Sequence, residues 1–156
     1  MKVEYLNPFL QAAFSVLKDL GVDQLKLGTP AASPKLHLGR GVFVMIGLTG
    51  RLAGGVLYDM SIETAAGIAG VMMGEKPAEF GDMTRSAIGE LGNMISGNAA
   101  TGLKKAGLAV DITPPMIITG TELTLANLGV SDVCIIIPVQ TSQGEIVVNL
   151  AVKEAA

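Results

Sequence analysis

Apolar positions along the chain change period several times, and each change marks an element. Phe9, Leu10, Ala13, Phe14, Leu17 and Leu20 recur at helical spacing, with Asn7 and Pro8 ahead of them and Gly21 behind. Asn can cap, Pro lacks only an N–H that a first helical position does not use, and Gly suits a left-handed stop. Together they predict a helix from about Pro8 to Leu20. Between Val22 and Arg40, "QLKLGTPAASPKLHLG" alternates weakly around Pro30 and Pro34, which predicts two short edge strands. "GVFVMIGLTGRLAGGVLYDM" has two β-rich runs flanking "TGRLAGG", the pattern of a hairpin with a glycine-containing loop. Ser61 then caps a helix over 62–73, with Glu63 in its first turn and Gly74 at its end.

"EKPAEFGD" reads as a loop, and the third and longest helix follows, roughly Met83 to Lys105, with Asp82 as its cap. After Gly107 the chain turns β-rich again. "AVDITPPMIITG" is extended and broken at Pro114–Pro115, and "TELTLANLG" fits a turn or a short strand. "DVCIIIPVQT" and "EIVVNLAV", joined by "SQG", form a long hairpin. The run near Ile135 is almost continuously apolar, so that part of the sheet is expected to be covered on both faces. The strands cluster between the first helix and the next two, and again after them, rather than alternating one-for-one with helices. This order predicts an α+β fold, a mainly antiparallel sheet with three helices packed on it. At 156 residues the chain is expected to be a single domain over 1–156.

The third helix is unusual within that pattern. "RSAIGELGNMISGNAA" contains Gly89, Gly92 and Gly97, although each interior glycine costs a helix on the order of 1 kcal/mol relative to alanine. At about 100° per residue, Ile88, Leu91, Ile95 and Ala99 share one face. Ser86, Glu90, Asn93, Gly97, Thr101 and Lys104 share the opposite one, so Glu90 and Asn93 are solvent-side neighbours one turn apart. Gly89, Gly92 and Ser96 line a flank where another backbone can approach closely. Gly97, Ala99 and Ala100 keep bulk off the surface around the pair, open to another protein. A Glu and an Asn on a helix face are ordinary, and the spacing recurs at Glu4-Tyr-Leu-Asn7. There Asn7 reads as a helix cap, and Pro8 ends any helical register with Glu4.

Composition removes several classes of function. Apolar residues make up 49% and charged ones 16%, which excludes a disordered chain or a polyelectrolyte. A net charge of -3 without a basic run argues against a nucleic-acid partner. Cys134 lies in "VCIII" with no cation beside it, the setting of a buried inert thiol. His37 is the only histidine, so a metal site or a Ser-His triad has little to draw on, and an exposed strand histidine is expected. No apolar run approaches the ~20 residues that span a bilayer, and the N-terminal stretch lacks a signal-peptide core, so a cytoplasmic protein off the membrane is expected. "GRGVFVMIG" lacks a dinucleotide fingerprint and "GVMMGEKP" lacks P-loop spacing, which leaves a nucleotide binder unsupported.

The segment "SAIGELGNMISG" resembles the signature of the CheC/CheX/FliY family of CheY-phosphate phosphatases: Asp or Ser, three residues, Glu, two residues, Asn, and a glycine one turn later. Those positions are Ser86, Glu90, Asn93 and Gly97. "EYLNPFLQAAFSVLKDLG", "GLTGRLAGGVLYDMS" and "ITPPMIITG" resemble further CheX-type segments, so the likeness covers nearly the whole chain. CheC-type members carry a second E-x-x-N on the first helix. "PFLQAAFSVL" has none, which matches the single-site CheX pattern, and no switch-protein extension of the FliY kind is expected.

The resemblance implies hydrolysis of the aspartyl phosphate of a CheY-like receiver. Asn93 would orient the attacking water, and Glu90 would dock the receiver's lysine. No cofactor of the chain's own is implied, since the receiver brings Mg²⁺. An acyl phosphate is already activated, so the helper supplies position rather than a reactive Cys or His. An amide both donates and accepts hydrogen bonds without repelling phosphoryl oxygens. Ser86 would hold the Glu90 rotamer or simply lie near the helix start. The family also implies a homodimer with sheets joined across the subunit boundary. The alternative is a non-catalytic dimeric docking or scaffold module for a receiver in a chemotaxis-like pathway.

Overall fold

The computed structural model describes residues 2–77, 79–121, 123–126 and 133–155, with the backbone alone described at 37 and 123–126. Helix α1 (Val3–Leu20) buries Tyr5, Phe9, Ala12, Ala13, Val16 and Leu17 and ends at Gly21, whose φ of 95° gives the left-handed stop. Its start differs from the expectation. Asn7 is not a cap, and Pro8 lies inside the helix. Tyr5, 3% exposed, belongs to the main core, and burying an aromatic anchors the extra turn. Pro8 deprives only the Glu4 carbonyl of its helical partner, and Glu4 is exposed in the first turn, where water can take that place. The first helix therefore does carry a Glu-x-x-Asn, Glu4 to Asn7, both exposed.

Three short strands, rather than two, follow: β1 (Lys26–Leu27), β2 (Ala31–Ser33) and β3 (Lys35–Leu38). Pro30 and Pro34 fall in the gaps between them, where no ladder bond is demanded of their missing N–H groups. Strands β4 (Gly41–Gly50) and β5 (Leu52–Ser61) form the expected hairpin, but only Arg51 separates them. The glycines assigned to its loop serve the ladder instead. At Gly54, with φ of 141°, an added Cβ would lie 1.9 Å from the Ala151 carbonyl oxygen.

Helix α2 (Ile62–Met73) begins as expected, with Ser61 Oγ accepting from the Thr64 N–H at 3.0 Å. Helix α3 (Asp82–Lys105) takes Asp82 as its first residue, with Gly81 at the cap position. The acid still meets the positive end of the helix dipole. Strands β6 (Val110–Ile112) and β7 (Met116–Gly120) flank Pro114–Pro115. The ambiguous segment contains β8 (Leu123–Ala126), and its residues 122 and 127–129 lie outside the described residues. Strands β9 (Cys134–Thr141) and β10 (Gly144–Glu154) make the C-terminal hairpin.

Every described strand pair is antiparallel. The main sheet runs β1-β9-β10-β5-β4-β6, with β2 also on the outer edge of β9 and β7 on that of β4. Alternation along β5 sends Val56, Tyr58 and Met60 into the core beneath the helices and Leu57 to the other face. There the β3–β8 pair provides cover through Leu36 and Leu38, packed with Phe43, Leu57, Cys134 and Ala151. The architecture is the expected α+β sheet carrying three helices among the described residues. Ile135 and Ile136 remain half-buried, so β9 is covered less completely than its composition suggests. Cys134 is buried and its thiol is pushed up by desolvation, as suits an inert core residue. His37 lies on β3.

Candidate functional site

Helix α3 is held by its apolar stripe: Ile88, Leu91, Ile95, Ala99 and Leu103 are all buried in the main core. Fully burying each large member contributes about 1.5–3 kcal/mol, enough to make the helix a rigid platform despite its glycines. The flank glycines fit around side chains of the sheet rather than around another backbone. A Cβ on Gly92 would lie 2.8 Å from Val44 Cγ1 and 3.4 Å from both Ile46 Cδ1 and Tyr58 Cδ2. One on Gly89 would lie 3.0 Å from Ile117 Cδ1. Ser96, fully buried, shares a 2.8 Å hydrogen bond with the Tyr58 hydroxyl. Burial pushes the Tyr58 phenol up, with the bond to Ser96 opposing. These contacts fix the rotation of α3 about its axis, and so the direction in which the opposite face points.

On that face Ser86, Glu90, Thr101 and Lys104 are exposed, and Asn93 and Gly97 are half-buried. Glu90 and Asn93 thus project together, one turn apart, as the spacing predicts. Neither side chain makes a hydrogen bond or ion pair among the described residues, and Ser86 shares no bond with Glu90. A Cβ added to Gly97 would meet nothing within 4 Å, so internal packing does not require glycine there. The Gly97 carbonyl accepts from Thr101 Oγ1 at 3.2 Å. Ala99, by contrast, is fully buried and takes no part in the cleared surface, and Ala100 is half-buried. Arg85 is turned away, 3.6 Å from the Asp82 carboxylate and 5.0 Å over the Phe80 ring.

Pattern reading missed two features. The Tyr58–Ser96 bond joins residues 38 apart, and only the smallness of Ser96 hinted at it. On the sheet face away from the helices, Asp59 is 3% exposed and lies 3.9 Å from Arg40 Nε. Arg40 in turn reaches Glu145 at 2.6 Å. Burial pushes the Asp59 carboxyl up to about 6, opposed by Arg40 and by the N–H groups of Gly39, Arg40 and Met60. This cluster ties the turn after β3 to the sheet and lies behind the Glu90 face. No group of three His, Cys, Asp or Glu side chains among the described residues is arranged to hold a metal ion. No described helix is long and apolar enough to cross a membrane.

An unpaired carboxylate beside an unpaired amide, on a rigid projecting face, can receive a cation from another molecule and orient a water next to it. Comparisons with known proteins bear on what that molecule is. Residues 42–140, which include all of α3, match the family described as chemotaxis phosphatase CheX. A CheY-P phosphatase CheX of Thermotoga maritima is 33% identical over 132 residues, 83% of this chain and 84% of the relative. Among solved structures, a CheX–CheY–BeF3–Mg complex from Borrelia burgdorferi aligns with TM-score 0.81 and 37% identity over 98% of this chain and 100% of that one. A CheC-like superfamily protein from Shewanella sp. PV-4 aligns with TM-score 0.86 and 27% identity, covering 98% and 99%.

Proposed function

This chain belongs to the chemotaxis phosphatase CheX family, and we propose that it hydrolyses the aspartyl phosphate of a CheY-like receiver domain in the cytoplasm, acting through Glu90 and Asn93. The observation that carries the assignment is the projection of these two unpaired side chains from a helix whose rotation is locked by Gly92 and by the Tyr58–Ser96 bond.

The Glu90 carboxylate accepts the ammonium of a lysine on the receiver, which sets the register of the two proteins. The Asn93 amide then enters the phosphorylation site. Its carbonyl oxygen accepts a hydrogen from water while its NH₂ stays available to a phosphoryl oxygen. The water attacks phosphorus in line, the P–O bond to the receiver's aspartate breaks, and carboxylate and inorganic phosphate are released. The water's proton leaves on phosphate. Mg²⁺ belongs to the receiver, where it neutralises phosphoryl charge. Orientation is the whole contribution of this chain, so no residue of it requires covalent chemistry. Ser86 and Gly97 support the site by leaving room: a short side chain one turn before Glu90, and none one turn after Asn93. The functional unit is the domain over 1–156, acting as a homodimer.

The test is the decay of a phosphorylated CheY-like receiver from the same genome with substoichiometric protein. Catalytic turnover that Asn93→Ala abolishes supports the reading. A detectable complex without acceleration for any receiver overturns it in favour of a docking module.

A further inference from the structure

Glu90 is exposed, and the surface beside it is hollowed into a shallow, open groove. Glu90 forms one wall of this groove, of about 460 Å³, between the end of α2 and the start of α3. Met72, Met73, Met83 and Ala87 line the groove, with Asp82 and Ser86 completing its wall. Three of the chain's eight methionines therefore meet beside the proposed site. Met72 packs down onto the main core, whereas Met83 stands 70% exposed on the first turn of α3.

We infer that this methionine-lined groove is the apolar half of the receiver-docking surface, seating an apolar side chain that the receiver carries beside its phosphorylation site while Glu90 holds the receiver's lysine. The inference rests on the function proposed above. Continuity supports it first: Glu90 is both wall of the groove and ligand of the partner, so a protein body that reaches the carboxylate covers the groove. Area supports it next. A specific complex buries about 800 Å² on each partner, far more than one acid and one amide present, and methionine is enriched at the centres of such interfaces. Charge is the third support. Arg85 is engaged by Asp82 and Phe80, which leaves Glu90 without a compensating cation among the described residues. A cation next to an apolar side chain is the complement of that surface. Methionines also reshape at low cost, which suits a partner that must leave after every turnover.

The experiment compares wild type, Met83→Ser and Met83→Leu in steady-state dephosphorylation of the receiver. It also measures affinity for the beryllofluoride-loaded receiver by calorimetry and oligomeric state by sedimentation. Met83 is exposed, so the serine variant retains the fold. The expected result is a KM and Kd raised about 5- to 30-fold by serine, an unchanged kcat, and recovery of most of the loss by leucine. Active wild type with an unchanged KM and Kd in Met83→Ser overturns the groove while leaving the phosphatase standing. A loss confined to kcat overturns it equally. A serine variant that changes oligomeric state without receiver present overturns it in favour of a second copy of this chain as the occupant. Wild type that neither binds nor dephosphorylates any receiver removes the functional reading itself.

Discussion

Glu4–Asn7 on α1 and Glu90–Asn93 on α3 have the same spacing, and both are wholly helical. Each places an acid and an amide one turn apart on an exposed or half-exposed face. Their surroundings differ. Glu4 lies in the first turn of α1, where an acid meets the positive end of the dipole, and it is 3.8 Å from Lys2. Lys2 also reaches Glu154 at 4.0 Å, so local charges account for the acid. Pro8 follows Asn7 directly and packs on Gly102 of α3, which commits that end of α1 to the contact between the helices. Glu90 and Asn93 instead lie in the interior of a longer helix, with buried residues before, between and after them, no partner among the described residues, and an apolar groove alongside. The comparison teaches that the tetrapeptide itself carries little information. Rigid backing and an acid without a local cation separate a site from a helix start.

Matched substitutions in the two tetrapeptides test that contrast most severely. Asn93→Ala is expected to lower receiver dephosphorylation on the order of 10²-fold, the scale of losing orientation of a reactant, while Asn7→Ala leaves it unchanged. Equal losses in a phosphate-release assay would collapse the distinction. Glu90→Ala is expected to raise KM at least about tenfold with a smaller change in kcat, and Glu4→Ala to change neither. Added salt then weakens wild type more than Glu90→Ala, because the lost term is a charge pair between the two proteins, screened as they approach. Two glycines of α3, one facing the sheet and one facing α1, form a second matched pair. Gly92→Ala forces a Cβ to 2.8 Å from the buried Val44. Overpacking of about 1–3 kcal/mol, partly offset by helix propensity, should lower the midpoint of thermal or urea unfolding and reduce turnover as well. Gly102→Ala brings a Cβ to 3.3 Å from Pro8, a crowding that the gain in helix propensity offsets, so its midpoint should stay close to wild type. A third glycine of α3 sharpens the picture furthest. Gly97→Ala meets nothing within 4 Å, so it should stabilise the fold by about 0.5–1 kcal/mol while raising KM for the receiver. Stabilisation without a change in KM would remove Gly97 from the proposed docking surface.

The face of α3 was legible because helical periodicity is a local property. The stripe of Ile88, Leu91, Ile95 and Ala99, and with it the outward face of Glu90 and Asn93, follow from spacing alone, and the structure buries and exposes them accordingly. The caps at Gly21, Ser61 and Gly74 were legible for the same reason, since each acts on backbone within a few residues. The start of α1 was not. Proline propensity argued for a helix beginning at Pro8, and the burial of Tyr5 against distant core residues overrode it. Likewise Gly54 reads as a loop glycine until β10 is placed, with the Ala151 carbonyl where its side chain would be.

The sequence by itself determined the α+β order, the polar face of the long helix and the family signature carried on that face, because these depend on residues a turn or two apart. Only the tertiary structure decided that Glu4 has a cation beside it and that Glu90, among the described residues, has none. It alone locked α3 in rotation through Tyr58 and Ser96, and it gathered Met72, Met73 and Met83 into one groove beside Glu90. Those outcomes depend on contacts between residues far apart in the chain, and a one-dimensional pattern does not encode which distant surface will cover a given side chain.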